Sequence, residues 1–591
     1  MRRVRLPLSA PSTAPKYSIG AFFISIFRID TADWMIALKI KTKYSFTDLF
    51  LLLSFILFGS FNEFVSAALS VALLIFLILR IRRTSVLKFK KSILTLFYLL
   101  LPIFYGLTAF WAIDKGMAFI GGIKFLPVAL YTLALWNSES KEKVTEILPL
   151  FAAVLTVVTA LAMQFAPFKE IFSVSGRLAG TFSYPNSYAL FLLVCELLLI
   201  QKKRLAALDI VVLAVLCAGI LYTGSRTVLI ALVLFNLAYI FICGQKRLKL
   251  IIAALLGLIA LIIALTVIIQ GEGSILYRFI NISLKSDTFV GRLLYAADSL
   301  PLILKYPFGM GYMGYFYMQG SIQSGIYSLV YVHNDFLQLI LDIGVVPALL
   351  MIAGLIRWFF IKDIPAGRKL TVGAICFHCL FDFDLQFISI FMLLVLLTDH
   401  SEVCSLPLKR KKSIAAVALS LLCIVCIYMS SALGTAQVGL RSLSEKLYPF
   451  NTQNKLAILE STEDIEKANT LAEEILRYNK AYYLPYSIKA KHFYSLGKFN
   501  SMIEYKRLAI ERYPLKYTEY IEYCEMLING RAVYQKTGDK ESADFCKSEI
   551  INTNKLLHEN KKRIGTLGSM IKNQPWARLP DKITDYIELI E

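Results

Sequence analysis

The sequence predicts an all-α, polytopic membrane protein: a bundle of apolar helices followed by a soluble helical-repeat region. Of the 591 residues, 57% are hydrophobic and 13% are aromatic. A soluble chain of this length cannot bury that much apolar side chain. Apolar runs also recur along the chain, many of them near the roughly 20 residues that cross a bilayer. Together these observations predict a multi-pass membrane protein.

Hydropathy predicts thirteen spans inside a membrane domain that covers residues 46–445. A basic tail, residues 1–45, precedes them, and a large loop, residues 270–334, separates the ninth span from the tenth. The predicted spans cover residues 46–60, 63–79, 92–112, 117–136, 144–166, 187–200, 205–223, 227–243, 248–269, 335–356, 370–383, 386–398 and 413–434.

The charge of the loops predicts the orientation. One alternate set of loops carries 22 Lys and Arg residues, whereas the other carries 8 although it includes the longest loop. Because positive residues are retained on the cytoplasmic side, we assign the first set to the cytoplasm. The N-terminal tail is then cytosolic, and an odd number of spans places the C-terminal region outside. The same bias accounts for the formal net charge of +21 without a nucleic-acid partner.

Residues 446–591 differ from the bundle in being charged, rich in Tyr and helical in pattern. Tyr486, Ala490, Gly497 and Pro514 have the spacing of a tetratricopeptide helix pair, and an ordinary helical bundle is the alternative. Stacked helix pairs form concave surfaces, so this region is a candidate site for a protein partner. A disulfide between Cys524 and Cys546 is compatible with an outside location, but their spacing does not require one.

Three arginines fall on the predicted outer side of the membrane: Arg177, Arg226 and Arg292. A single arginine at a membrane rim needs no function, because its long side chain reaches the interface. Three on one side suit a different role, since guanidinium groups bind phosphate through paired hydrogen bonds and stay charged. A lipid-linked diphosphate at the outer leaflet matches such a cluster.

His333 lies at the end of the large outer loop, where the tenth span begins. An imidazole near its ordinary pKa can accept a hydroxyl proton at neutral pH, which makes His333 a candidate general base. A structural histidine at a helix start is the alternative. Asn334 or Asp335 is placed to cap that helix, a role that needs no catalysis.

A second polar group occurs in the stretch 377–387, FHCLFDFDLQF. His378 and Asp382 are four residues apart and are expected on one helix face, which makes His378 the rival candidate base. Asp382 and Asp384 form an Asp-x-Asp pair, whose carboxylate oxygens are suitable ligands for a divalent cation. The alternative is that these carboxylates orient or cap neighbouring groups, and we predict no metal site.

Four stretches in order resemble the O-antigen ligase and O-antigen polymerase superfamily. They are GRLAGTFSYPNSYA (176–189), TGSRT (223–227), GRLLYAADSLPLILKYPFGMGYMGYF (291–316) and HNDFLQLILDIG (333–344). In the ligase signature, His-Asn is followed by nine residues, Gly, two residues and then Gly, Thr or Tyr. His333, Asn334 and Gly344 match, whereas Pro347 stands at the last position. This departure leaves ligase and polymerase open.

The resemblance implies a GT-C-like, inverting glycosyltransferase that uses an undecaprenyl-diphosphate-linked glycan without a metal or other cofactor. It implies that Arg226 and Arg292 hold the diphosphate, with Arg177 as a further candidate. His333 would deprotonate the acceptor hydroxyl, and Asn334, His378 and Asp382 would support the site. The acceptor is a glycan, a lipid or a protein, and the location is the bacterial inner membrane.

Two other classes of function fit a chain of many spans. A flippase or transporter of the lipid-linked glycan would more often show paired repeats with ionisable groups near the midplane. A simple membrane anchor for the C-terminal region would need far fewer spans. The candidate charges instead gather at one rim, which favours chemistry on one side. Aromatic residues of the outer loop (Tyr312, Tyr315, Phe316) either stack on sugars or lie in the membrane interface.

Overall fold

The computed structural model describes residues 44–138, 144–242, 245–270, 276–280, 283–400, 402–408, 411–572 and 578–591. Nearly all of the predicted cytosolic tail lies outside the described residues. The first helix begins at a capping box, in which the Ser45 hydroxyl accepts from the Asp48 amide at 3.3 Å. The Asp48 carboxylate accepts in return from the Ser45 amide at 2.9 Å. This reciprocal pairing satisfies donors that a helix start leaves open.

Every predicted span contains helix. The bundle helices are α1 (Phe46–Ile56), α2 (Glu63–Thr84), α3 (Ile93–Thr108), α4 (Lys115–Asn137), α5 (Val144–Ala162), α6 (Ala166–Phe172), α7 (Pro185–Ile200), α8 (Ala207–Thr223), α9 (Arg226–Ile242), α10 (Lys246–Gln270), α11 (Tyr277–Ile280), α12 (Asp287–Lys305), α13 (Gly314–Ile322), α14 (Asp335–Ile343), α15 (Val345–Phe359), α16 (Ala366–Cys379), α17 (Ile388–Leu397) and α18 (Lys412–Gln437). Helices α6 and α11–α13 belong to the loops.

Among the described residues, five helices are long and apolar enough to cross a membrane: α2, α4, α5, α10 and α18. Shorter apolar helices, such as α3, α7, α8 and α9, lie between them in the chain. The structure therefore supports an α-helical membrane protein, while the total of thirteen spans remains a prediction.

The tenth predicted span is not one continuous helix, because the chain breaks into α14 and α15 at Gly344. Gly344 has φ +95°, and a Cβ atom there would lie 2.6 Å from the carbonyl carbon of Phe308. A side chain is thus excluded by both backbone conformation and space. Helix α14 begins where the sequence suggested, since the Asn334 side chain accepts from the Leu337 amide at 2.9 Å.

One end of the bundle carries a small antiparallel sheet, which we call the sheet end. Strand β1 (Val86–Lys90) pairs with β4 (Val403–Pro407), in register from Val86 opposite Pro407 to Lys90 opposite Val403. Lys90 is largely buried and forms a 2.5 Å ion pair with Asp399. The sheet thus joins chain segments that are more than 300 residues apart and closes this end of the bundle.

The opposite end, which we call the site end, gathers the loops with the candidate residues. A hairpin of β2 (Ser173–Val174) and β3 (Arg177–Leu178) leads into α7, and residues 380–387 link α16 to α17. The segment 283–334 packs around a small core that it shares with α14, formed by Leu294, Leu302, Met310, Tyr315, Tyr327, Leu329, Val332 and, from α14, Leu341. This core stabilises the conformation of the segment at the site end.

Helices continue to the C-terminus: α19 (Arg441–Leu447), α20 (Thr452–Ser461), α21 (Ile465–Tyr478), α22 (Leu484–Ser495), α23 (Phe499–Arg512), α24 (Tyr517–Thr537), α25 (Lys540–Lys561), α26 (Thr566–Ser569) and α27 (Asp581–Ile590). Buried residues of α20 and α21 belong to the same apolar cluster as the bundle, whereas those of α22–α25 and α27 form a second cluster. The boundary at residue 445 and the tetratricopeptide assignment remain predictions. Cys524 and Cys546 are buried free thiols.

The C-terminal helices pack on the site end. Asn479 donates from its amide to the Asp114 carboxylate at 3.1 Å, and both side chains are buried. The Tyr513 hydroxyl donates to the Tyr327 carbonyl at 2.9 Å, and the Gly565 amide donates to the Ser324 carbonyl at 2.9 Å. Since Ser324 and Tyr327 belong to the segment 283–334, the C-terminal region is hydrogen-bonded directly to that segment.

Candidate active site at the site end

Asp382 is the centre of the polar groups at the site end. It lies just beyond the end of α16, and its carboxylate is fully buried. The Oδ1 atom accepts from the Tyr184 hydroxyl at 2.8 Å and lies 3.0 Å from Nδ1 of His333. The Oδ2 atom accepts from the Asn186 amide at 2.8 Å and from Nη2 of Arg292 at 3.3 Å. One carboxylate thus joins three separate parts of the chain.

His333 is held from several sides and still reaches the surface. Its ring centroid lies 5.1 Å from that of Phe383, edge to face, and 6.1 Å from that of Tyr295. Its side chain is 15% exposed. Because Nδ1 donates to a buried carboxylate, the neutral ring carries its proton there and leaves Nε2 as the acceptor. The adjacent Asn334 donates to the Leu380 carbonyl at 3.1 Å, which ties the histidine to the turn that carries Asp382.

Arginines crowd the same end. Arg177 donates from Nε to the Thr223 carbonyl at 2.6 Å and from Nη2 to the Asn186 side chain at 2.8 Å. Burial and, to a smaller extent, repulsion from the charges of Arg278 and Arg226 together lower the pKa of Arg177 to about 10. Arg177 therefore remains protonated at neutral pH.

Arg278, in α11, belongs to the same cluster. Burial lowers its pKa, and repulsion from Arg226 lowers it too. Arg226 in turn interacts electrostatically with Arg292. Four arginines with like charge are therefore close enough to repel one another, and one of them, Arg292, is in direct contact with the Asp382 carboxylate. Such a cluster favours an anion with several charges, as a diphosphate has.

His378 and Asp384 form a second histidine–aspartate pair, at 2.6 Å between Nδ1 and Oδ2. Both side chains are fully buried, and the Ser187 hydroxyl donates to the other oxygen of Asp384 at 2.7 Å. The prediction that His378 and Asp382 share a helix face is wrong, because α16 ends at Cys379 and Asp382 lies in the following turn. Because of this turn, Asp382 faces His333 whereas Asp384, two residues further on, faces His378.

In this geometry each of the two aspartates faces a histidine and accepts hydrogen bonds from neighbouring side chains, and their orienting role stays a prediction. Within the described parts of the chain, one other group has atoms placed for a metal ion: Asp335, Cys379 and Asp384, within 4.8 Å of one another. All three are buried, and Asp335 already accepts from the Leu385 amide at 3.0 Å. Asp335 therefore links the start of α14 to the turn before α17.

Three residues at this site were not singled out from the sequence. Tyr184 and Asn186 lie inside the quoted motif GRLAGTFSYPNSYA, so their position in that motif was the available signal. Arg278 was counted among the positive residues of the outer loops, but no neighbouring motif distinguished it. Of the loop aromatics, Tyr312 and Tyr315 are fully buried, and the Tyr312 hydroxyl donates to Glu63 at 2.6 Å. These two tyrosines serve neither sugar stacking nor the interface.

The fold and the site together define a helical membrane protein with an arginine-rich polar site at one end of the bundle. A family model described as O-Antigen ligase matches residues 210–352. The match supports the O-antigen ligase superfamily and, in general terms, an enzyme that transfers lipid-linked glycan in a bacterial membrane. It includes Arg226, Arg292 and His333, whereas Arg177 and Asp382 lie outside it. Comparison with the curated proteins and with the solved structures found no match.

Proposed function

We propose that this protein transfers or polymerises an undecaprenyl-diphosphate-linked glycan onto an acceptor hydroxyl at the outer face of the cytoplasmic membrane. The observation that carries the proposal is the position of His333. Two histidines are paired with buried aspartates, and of these two His333 is the one that is partly exposed. Its partner Asp382 also contacts Arg292, so the histidine and this arginine lie next to the same carboxylate. The candidate base therefore lies next to the candidate diphosphate-binding arginines, which supports the proposal.

In the proposed reaction, Nε2 of His333 accepts the proton of the acceptor hydroxyl as that oxygen attacks the anomeric carbon. A new carbon–oxygen bond forms on one side of the sugar while the bond to the diphosphate oxygen breaks on the other. The electron pair leaves with the lipid diphosphate, and the configuration inverts. Asp382 stabilises the imidazolium that results, as a carboxylate does beside a catalytic histidine.

The arginines supply the charge stabilisation. Arg226 and Arg292 would hold the diphosphate and neutralise the charge that grows on the leaving oxygen, and Arg177 and Arg278 would add positive charge nearby. This role is strongest where water is scarce, because the effective dielectric is then low. Permanently charged guanidinium groups supply the positive charge that a divalent cation supplies in metal-dependent glycosyltransferases.

Replacing His333 with Ala tests the proposal in cells. We expect surface glycan to fall by about 100-fold or more while the lipid-linked precursor accumulates, since general-base catalysis contributes that much or more. Lys285, exposed in the same loop segment, offers a matched control, and Lys285→Ala should leave surface glycan unchanged. Unchanged glycan in the His333 variant would contradict the base assignment.

The surface polymer of partly active variants separates the two members of the class. Single repeat units attached to the acceptor indicate a polymerase, whereas long unattached chains indicate a ligase. A third result identifies the flippase alternative: lipid-linked donor that reaches the outer leaflet only when this protein is present.

A further inference from the structure

Helix α12 belongs to the loop between two predicted spans, yet the face that it turns outward is apolar. Four exposed residues, three or four positions apart and therefore on one face, form it: Leu293, Ala297, Leu300 and Leu304. We call these residues the leucine face. The exposed fraction rises along it from 46% at Leu293 to 85% at Leu304, so the described parts of the chain leave this face largely uncovered.

The opposite face of α12 is fixed to the protein. Leu294 is buried in the core that the segment 283–334 shares with α14. The buried carboxylate of Asp298 accepts from the Ser324 amide at 2.9 Å and from the Tyr327 hydroxyl at 2.9 Å. The leucine face therefore cannot turn inward without breaking these contacts.

The leucine face ends next to the apolar surface of the bundle. Four residues beyond Leu304 lies the exposed Phe308, and the neighbouring Pro307 carbonyl accepts from the Val345 amide, where α15 begins, at 2.9 Å. Helix α15, part of the tenth predicted span, carries its own exposed apolar row: Val346, Leu349 and Ile356. The Trp111 indole, just past the end of α3, donates to the Phe308 carbonyl at 3.1 Å. Exposed tryptophan at the end of a spanning helix is typical of a membrane interface.

Acyl chains suit this face better than water does. A helix that is apolar on its exposed side and lies beside spanning helices has the pattern of a helix in a membrane interface. In water the same leucines would form an apolar patch of the kind that soluble surfaces avoid. Lys305, exposed at the end of α12, lies with its ammonium 5.4 Å from the Tyr306 ring centroid. Lysine and tyrosine both anchor segments at the level of lipid headgroups.

We propose that α12 lies along the membrane interface at the site end, with the leucine face in contact with the acyl chains of the bilayer. The segment 283–334 would then rest on the membrane and not stand free in water. Arg292 directly precedes Leu293, so the helix would bring this guanidinium close to the depth of lipid phosphate groups. This consequence for the donor rests on the proposed function, whereas the contact with lipid does not.

Fluorescence quenching tests the contact without any measurement of activity. An environment-sensitive fluorescent amino acid replaces Leu300 in the full-length protein, which is placed in nanodiscs of phospholipid alone. Phospholipid with brominated acyl chains quenches a fluorophore that touches it, and aqueous iodide quenches one that meets water. At position 300 we expect a loss of emission in brominated lipid comparable to that at Leu421, which is exposed on the long apolar helix α18, and little loss with iodide.

Val533 provides the matched control, because it is an apolar residue of similar exposure on α24, in the C-terminal region. A label there should lose emission with iodide and keep it in brominated lipid. Thermal melting verifies that each labelled protein is folded. The label at position 300 should behave identically in His333→Ala, so a wrong base assignment would leave the quenching result intact.

Three results would overturn the inference. Quenching at position 300 by iodide alone would place the leucine face in water. Protection from both quenchers would mean that protein covers the face, either a second copy of this chain or another partner. Equal quenching by brominated lipid at positions 300 and 533 would leave the leucine face no different from the C-terminal region.

Transfer assays then test the consequence for the donor. Leu300→Glu places a charge in the leucine face and should raise the KM for lipid-linked donor about tenfold, because one leucine withdrawn from lipid weakens the seating of the helix by roughly that factor. Val533→Glu should leave this KM unchanged. Lipid quenching at position 300 with an unchanged KM in Leu300→Glu would support the membrane contact and contradict its role in placing Arg292.

Discussion

Two histidine–aspartate pairs lie side by side in this protein, and they differ in access and charge. His333 faces Asp382 at 3.0 Å, and His378 faces Asp384 at 2.6 Å. The His333 side chain is 15% exposed and its carboxylate also holds Arg292, whereas the second pair is fully buried. The same two residue types therefore occur once where a substrate can reach them and once where it cannot.

The comparison shows that a histidine–aspartate pair does not by itself identify a catalytic base. The carboxylate fixes the imidazole ring and its proton in both pairs. What differs is whether the second ring nitrogen can meet a hydroxyl, and whether a diphosphate can bind nearby. Only the pair at His333 combines both conditions among the described residues, so changes to the two pairs should have different effects.

The largest effect is expected for Asp382→Asn. An amide can donate to Nδ1 of His333, which favours the tautomer that carries its proton on Nε2 and cannot accept another. We expect kcat to fall by about 100-fold or more in proteoliposomes with lipid-linked donor. Asp384→Asn, two residues further on, is the matched control and should retain transfer within a few-fold per folded molecule. Loss of transfer in the control but not in the Asp382 variant would reverse the roles of the pairs.

A smaller effect is expected for Arg278→Ala. This arginine interacts electrostatically with Arg226, and through the cluster it would add to diphosphate binding. Loss of one charged hydrogen-bond donor should raise KM for the donor by about tenfold, with a smaller change in kcat. The difference from the unchanged protein should shrink at high salt, because salt screens exposed charges.

Lys285→Ala is the control for general loss of positive charge, since Lys285 is exposed in the same loop region. It should leave KM for the donor unchanged. If both variants raise KM equally, then Arg278 acts through the overall charge of the segment and is not part of the diphosphate site.

The sequence predicted the bundle because apolar composition and length determine which segments enter a membrane. It also placed His333 and the arginines Arg177, Arg226 and Arg292 at one end, because loop charge and motif order are local signals. The structure brings Arg177 to Asn186, and both Arg292 and His333 to Asp382. These contacts are consistent with the predicted site, although the catalytic roles themselves remain proposals.

The sequence did not predict which residues pair, because the pairs join distant parts of the chain. Tyr184 and Asp382 are 198 residues apart, and His333 and Asp382 are 49 apart. A helical spacing suggested that His378 and Asp382 share a face, but the helix ends before Asp382. The break at Gly344 was missed for a similar reason, since it depends on the approach of Phe308.

The smallest effect on transfer is expected for His378→Gln. Its imidazole is fully buried against Asp384, so replacing it weakens a buried charge-assisted contact and should cost about 2 kcal/mol of stability. Glutamine can still donate one hydrogen bond to Asp384, which limits the damage. Turnover per folded molecule should stay within about threefold of the unchanged protein, because no substrate reaches this ring.

Thermal melting and initial transfer rates, measured on the same nanodisc samples, check both parts of this expectation. His333→Gln is the matched variant and should show the opposite pattern, with a small change in melting temperature and a large loss of rate, because its side chain is partly exposed. If folded His378→Gln protein loses transfer as completely as His333→Gln, then burial does not separate the two pairs. The buried pair would then be needed for transfer as well, and His333 would no longer be distinguished by its access to substrate.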